Sequence, residues 1–199
     1  MGYSNFRKIE TFVEKFNFEI RFVALFNSEA IASLSPSDWL LETLERAKPW
    51  PMRNEKAKAE RIISPILLEV VQNYTDRISF FSGEAINIKP EDDLSGECDF
   101  FFALQPPRPY LDAPIISLTE AKDEDMDWGI AQCAAQMLGA KYFNEKRNKY
   151  IPFIYGCATT GIEWQFLKLE NDIYYLDSKI YTDLKEILGV WQHVINLYL

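Results

Sequence analysis

Three strand-like runs in succession, Arg77 to Ile88, Leu94 to Leu104 and Pro114 to Ala121, followed by one long helical stripe, most constrain what this chain can fold into. Turn-forming Lys89-Pro90-Glu91-Asp92-Asp93 and Pro106-Pro107-Arg108-Pro109 separate the runs. Short loops of this kind join hairpin neighbours, so the economical arrangement is an antiparallel meander. Trp128, Ala131, Ala135, Leu138 and Tyr142 then step by three and four, the spacing of one helix face. The small residues in that stripe invite close packing on a sheet. Ile151 to Ala158, Trp164 to Leu169 and Ile173 to Leu176 again read as strands, before a final helix from about Thr182. The order predicts an α/β (α+β) fold, a central mixed β-sheet flanked by helices, rather than a doubly wound parallel sheet.

Upstream, residues 5 to 16 read as a short amphipathic helix and Phe18 to Phe26 as a strand. Ser35-Pro36-Ser37-Asp38 offers an N-cap and an early proline to a second helix, which Lys48-Pro49-Trp50-Pro51 stops. The expected organisation is a single domain over residues 1–199, in which 1–50 form a helix-strand-helix extension packed on a 51–199 core. From about Asn54 a charged helical stretch carries Glu60, with Ile63, Leu67 and Val71 at spacings of three and four, which places Glu60 on the apolar side. Pro65 is expected to kink that helix or open a second segment after Ser64.

At 199 residues and 48% hydrophobic content, the chain can build one substantial core. Its net charge of −9 favours solubility and works against wholesale attraction to nucleic acid or an anionic membrane. Cys98, Cys133 and Cys157 are odd in number and never form a C-x-x-C pair, so neither a disulfide framework nor a structural zinc site is indicated. A reducing cytoplasm fits that usage, and no apolar run reaches membrane-spanning length. One histidine, His193, leaves histidine triads and histidine-rich metal sites without material, and no glycine-rich phosphate loop is present.

Chemistry concentrates at Glu120-Ala121-Lys122. Residues i and i+2 of a strand project from one face, so Glu120 and Lys122 should emerge together at the end of their run. Asp99, in the preceding strand-like run, brings a second carboxylate if the two strands are neighbours. Asp99, Glu120 and Lys122 are then expected to share one solvent-reachable cleft, with Glu60 approaching from its helix. Two carboxylates suit Mg2+, a hard ion that takes oxygen ligands and keeps several waters. Lys122 would act as a fixed charge on an anionic transition state.

An acid on a helix, an acid in an aromatic-rich strand, E-x-K ending the next strand and a glutamine-bearing helix after it follow one another from Glu60 to Gln136, about two-fifths of the chain. In that order the stretch resembles the core of the PD-(D/E)xK, or restriction-endonuclease-like, nuclease superfamily. Glu120-Ala121-Lys122 matches the second half of the motif in full. Glu97-Cys98-Asp99 matches the first half in the aspartate alone, with Cys98 where the name-giving proline stands. The resemblance implies a restriction-endonuclease-like core, and Asp99, Glu120 and Glu60 as ligands of Mg2+ or Mn2+. It also implies Lys122 as activator and Gln132 as the glutamine of the following helix. Glu69 is an alternative to Glu60, Gln136 to Gln132, and Glu97 to Asp99. The implied activity is hydrolysis of phosphodiester bonds in DNA. A homodimer is left open, no membrane partner is expected, and the alternative is a non-catalytic interaction protein that keeps the nuclease fold. Lys56, Lys58, Arg61, Lys141, Lys146, Arg147 and Lys149 are the expected basic surface for DNA. Residues 1 to 50 match no motif of the family.

Overall fold

The structure is a computed structural model that describes residues 2–27 and 31–199. Seven strands form one sheet: β1 (Glu19–Val23), β2 (Ser79–Ala85), β3 (Glu97–Ala103), β4 (Ile115–Ala121), β5 (Phe153–Thr159), β6 (Trp164–Glu170) and β7 (Ile173–Tyr181), in the spatial order β1-β7-β6-β5-β4-β3-β2. β2, β3 and β4 make the antiparallel meander expected from their short connections. β4 and β5 run parallel, which requires a long crossover, and β5, β6 and β7 return antiparallel. The sheet is therefore mixed.

The main helices are α1 (Ile9–Phe16), α2 (Asp38–Ala47), α3 (Glu55–Lys58), α4 (Ser64–Val71), α5 (Met126–Lys146) and α6 (Leu184–Asn196). α5 is the β4-to-β5 crossover. With α1 it covers one face of the sheet, where Ala131, Ala134, Ala135 and Leu138 meet Leu118, Ile154 and Leu167. α2, α4 and α6 cover the other, where Leu67 and Trp191 meet Phe102, Ile116 and Phe166. Every residue of β4 is buried, as a strand covered on both faces must be.

The first fifty residues do more than pack on a finished core. β1 completes the sheet as an edge strand, parallel to β7. A short 3-10 turn, Tyr3–Asn5, lies over α5, and the Tyr3 hydroxyl donates to the Ile86 carbonyl at 2.7 Å. Pro65 stands in the first positions of α4, which opens at Ser64 as the second segment of the helical stretch. A proline cannot donate to the carbonyl four residues back, and the chain widens into a π turn at Ala59–Ile63 before α4 continues. No helix among the described residues is long and apolar enough to cross a membrane.

Candidate functional site

β4 is uncharged through Thr119 and becomes charged only at its end. Leu118 packs against α5, and strand alternation turns Glu120 to the same side. There the Glu120 carboxylate is 1% exposed, and both of its oxygens are held. Lys122 Nζ donates to Oε1 at 2.5 Å and Gln136 Nε2, from α5, donates to Oε2 at 2.6 Å. The Lys122 stem runs along α5 at Gly129, where a Cβ would meet Lys122 Cγ at 2.9 Å and Ala158 Cβ at 3.3 Å. Ala121, between the two charged residues, packs into the core of the opposite face.

Asp99 comes from β3. Pairing of β3 with β4 ends at Phe100 opposite Thr119, and beyond it the Asp99 carboxylate takes over the role of a ladder acceptor. Its Oδ2 accepts from the Ala121 N–H at 2.8 Å, which fixes Asp99 between Glu120 and Lys122 along the neighbouring strand. Glu55, the first residue of α3, closes the group with an Oε2 to Lys122 Nζ distance of 3.6 Å. One helical turn on, Lys58 binds the Asp123 carboxylate at 2.7 Å and its carbonyl at 2.6 Å, so Glu55 and Lys58 fasten α3 to the consecutive residues Lys122 and Asp123 at the end of β4. Trp128 lies across the other side, 4.9 Å from the Lys122 ammonium to its ring centroid.

Three carboxylates around one ammonium leave the group short of positive charge. Burial first, then the Asp99 charge, push the Glu120 carboxyl up, and Lys122 and Gln136 offset only part of this. Burial raises Asp99 to about 6, against the Ala121 N–H and Lys122, which hold it down. For Lys122 burial disfavours the charge, but the Glu120 carboxylate outweighs it and the ammonium is held above its ordinary value.

The structure thus brings Asp99, Glu120 and Lys122 together, though not in one open cleft. The cleft, about 440 Å³, is lined by Asp99, Glu97, Glu55, Glu60 and Lys56, whereas Glu120 and Lys122 are buried outside its lining. Glu60 stands on the rim, its side chain 60% exposed and 3.8 Å from Lys56. The expected apolar placement fails because the π turn breaks the three-and-four periodicity between Glu60 and Leu67. Glu69 is occupied elsewhere, accepting from the Ser37 N–H and hydroxyl at the start of α2. Of the two glutamines, Gln136 reaches Glu120, while Gln132 is buried with no partner on Oε1 among the described residues. Glu55 escaped the sequence reading. Its signals were the Asn54 cap immediately before it and the Glu55/Lys58 pair, opposite in sign to Lys122/Asp123.

The basic residues expected to serve this site are spent or remote. Lys58 is bound to Asp123, Lys56 faces Glu60, and Arg61 donates to the Pro51 carbonyl. Lys141, Lys146, Arg147 and Lys149 lie in the last turns of α5 or just past it. That 21-residue helix starts beside Lys122 and puts them roughly 20–30 Å from its first turn.

Among the described residues no three or more His, Cys, Asp or Glu side chains are arranged to hold a metal ion. The carboxylates that do meet are those of Asp99 and Glu120, the latter already accepting from Lys122 and Gln136. Such a set fits magnesium held by two carboxylates and completed by water, not an all-protein cage. Comparison with protein-family models and with curated proteins finds no match to this chain.

Proposed function

We propose that the chain is a magnesium- or manganese-dependent nuclease of the PD-(D/E)xK kind that hydrolyses phosphodiester bonds in DNA, built on a restriction-endonuclease-like core. One observation carries this reading. The Asp99 carboxylate is bonded to the N–H between Glu120 and Lys122, and a glutamine of the crossover helix is bonded to Glu120. This supports the reading, because Asp99, Glu120 and Lys122 are the residues of the resemblance's motif, and Gln136, the alternative to Gln132, reaches them from the crossover helix.

In this reading Asp99 and Glu120 hold the ion, which when bound supplies an acidified water and a counter-charge to the phosphoryl oxygens. The rest falls to the chain itself. Gln136 and the Ala121 N–H fix the two carboxylates so that neither has to reorganise. Lys122 stabilises charge on the phosphoryl group as a fixed ammonium, because the surrounding carboxylates keep it protonated. Glu55 and Trp128 restrict water at the ammonium, and Glu55 must yield when a phosphate reaches it. The burial of Glu120 and the ion pairs on Lys122 favour a second reading, a non-catalytic protein that keeps this arrangement for structure.

Glu120→Gln separates the two, because it keeps the shape of the side chain and an acceptor for Lys122, removes the charge, and leaves an NH2 that the Gln136 amide can accept from by turning over. Lys122→Ala is the poorer choice, since it strips the ion pair from a buried carboxylate and costs roughly 3 kcal/mol or more. Cleavage of DNA in magnesium should fall at least about a hundredfold in Glu120→Gln with the fold retained. Equal cleavage by both proteins, or none by either, would favour the structural reading.

A further inference from the structure

The guanidinium of Arg7 lies 3.9 Å from the centroid of the Trp128 ring, the same ring that lies 4.9 Å from the Lys122 ammonium. Trp128 is half-buried in the first turn of α5 and is tied to the N-terminal segment, its Nε1 donating to the Ser4 carbonyl at 3.2 Å. Asp125 caps the Trp128 N–H at 2.9 Å, which fixes the backbone from which the ring projects. Arg7 is therefore carried to the site by the part of the chain for which the sequence offers no function.

A guanidinium carbon 3.9 Å from the ring centroid is in cation–π contact, which uses none of the N–H donors that lie in the plane of the group. Arg7 is exposed, and among the described residues those donors make no hydrogen bond and no ion pair with a carboxylate. The nearer lysines differ: Lys122 is held by Glu120 and Glu55, and Lys58 by Asp123. On the cleft side of Lys122, Glu55, Glu60, Glu97 and Asp99 oppose an approaching phosphate backbone. The Arg7 side is not basic either, because Glu10, Asp125 and Asp127 border it along with Lys8. Anion binding there rests on directed donors rather than on net field.

We infer that Arg7, in cation–π contact with Trp128, is a substrate-positioning residue of the candidate site and binds a backbone phosphate adjoining the one beside Lys122. This rests on the nuclease reading and adds to it the side from which the strand enters. Two cations that share one ring are close enough to serve neighbouring phosphates of a single strand, and the planar fork of Arg7 suits bidentate contact with one of them. Lysine cannot supply the fork.

The test is binding of a fluorescein-labelled DNA oligonucleotide, followed by anisotropy over a range of salt concentrations with calcium in place of magnesium. Wild type, Arg7→Gln and Arg7→Lys are compared, and the thermal melt of each confirms that an exposed position leaves the fold intact. Arg7→Gln should weaken binding roughly tenfold and lower the slope of log affinity against log salt by about one. Arg7→Lys should recover the slope but only part of the affinity. Wild-type binding with affinity and slope unchanged in Arg7→Gln would overturn the role of Arg7 and leave the nuclease reading standing. Absence of DNA binding by the wild type would overturn the nuclease reading, and the role of Arg7 with it.

Discussion

Glu120 places a carboxylate where water hardly reaches, and the residues that face it do not fully compensate: Lys122 and Gln136 bind it, while Asp99 repels it, with Glu55, Glu97, Cys98 and Cys133 completing the surroundings. Both carboxyls titrate above their unfolded values, so the folded protein binds more protons than the unfolded one. Their contribution to stability is then complete below the unfolded carboxyl pKa of about 4 and is lost as pH rises through about 6 for Asp99 and higher still for Glu120. In the presence of a chelator the melting temperature should therefore rise as pH falls from 8 to 5.5, and Asp99→Asn should flatten that rise. A melting temperature that is level or falling over the same interval in the wild type would contradict the electrostatics described. At this scale the sequence was readable where chemistry follows strand alternation, at Glu120 and Lys122. It was misleading at Glu60, where a π turn shifts the phase, and silent at Glu55, whose role depends on an ion pair across 67 positions of chain.

The crossover helix α5 shows what an element contributes. Its first turns bring Gly129 against the stem of Lys122 and Gln136 against Glu120, and further along Gly139 receives the ring of Tyr3. Gly129→Ala drives a methyl group into Lys122 Cγ and Ala158 Cβ; overpacking of this kind costs about 1–3 kcal/mol, against roughly 1 kcal/mol gained in helix propensity. Gly139→Ala collides with Tyr3 instead. Both variants should melt lower than wild type, but DNA cleavage measured well below the transition should fall only in Gly129→Ala. Equal cleavage by the two would show that Gly129 does not set the position of Lys122. The meander and α5 were legible because turn residues and a three-and-four stripe mark them locally. β1 as a parallel partner of β7 was not, since the pairing joins residues some 150 positions apart and no local pattern encodes it.

Over the whole molecule, the charge of −9 and the long reach of α5 decide where a ligand can be held. The cationic far end of that helix is too remote to help at Lys122, so an ion or phosphate at the site must rely on the groups that meet at the end of β4. Diffuse attraction of cations to the acidic loop Asp123-Glu124-Asp125 is the competing source of any metal effect. A divalent ion that binds only the folded form should stabilise it by roughly 1.4 kcal/mol at about ten times its dissociation constant. Asp99→Asn retains an acceptor for the Ala121 N–H and loses the charged ligand, so it leaves the fold in place and weakens the ion's hold. The deciding measurement is a thermal-melt titration with magnesium at neutral pH on the wild type and Asp99→Asn. The site described here predicts a saturable rise in melting temperature for the wild type that is largely lost in Asp99→Asn; an equal rise in both proteins would contradict it.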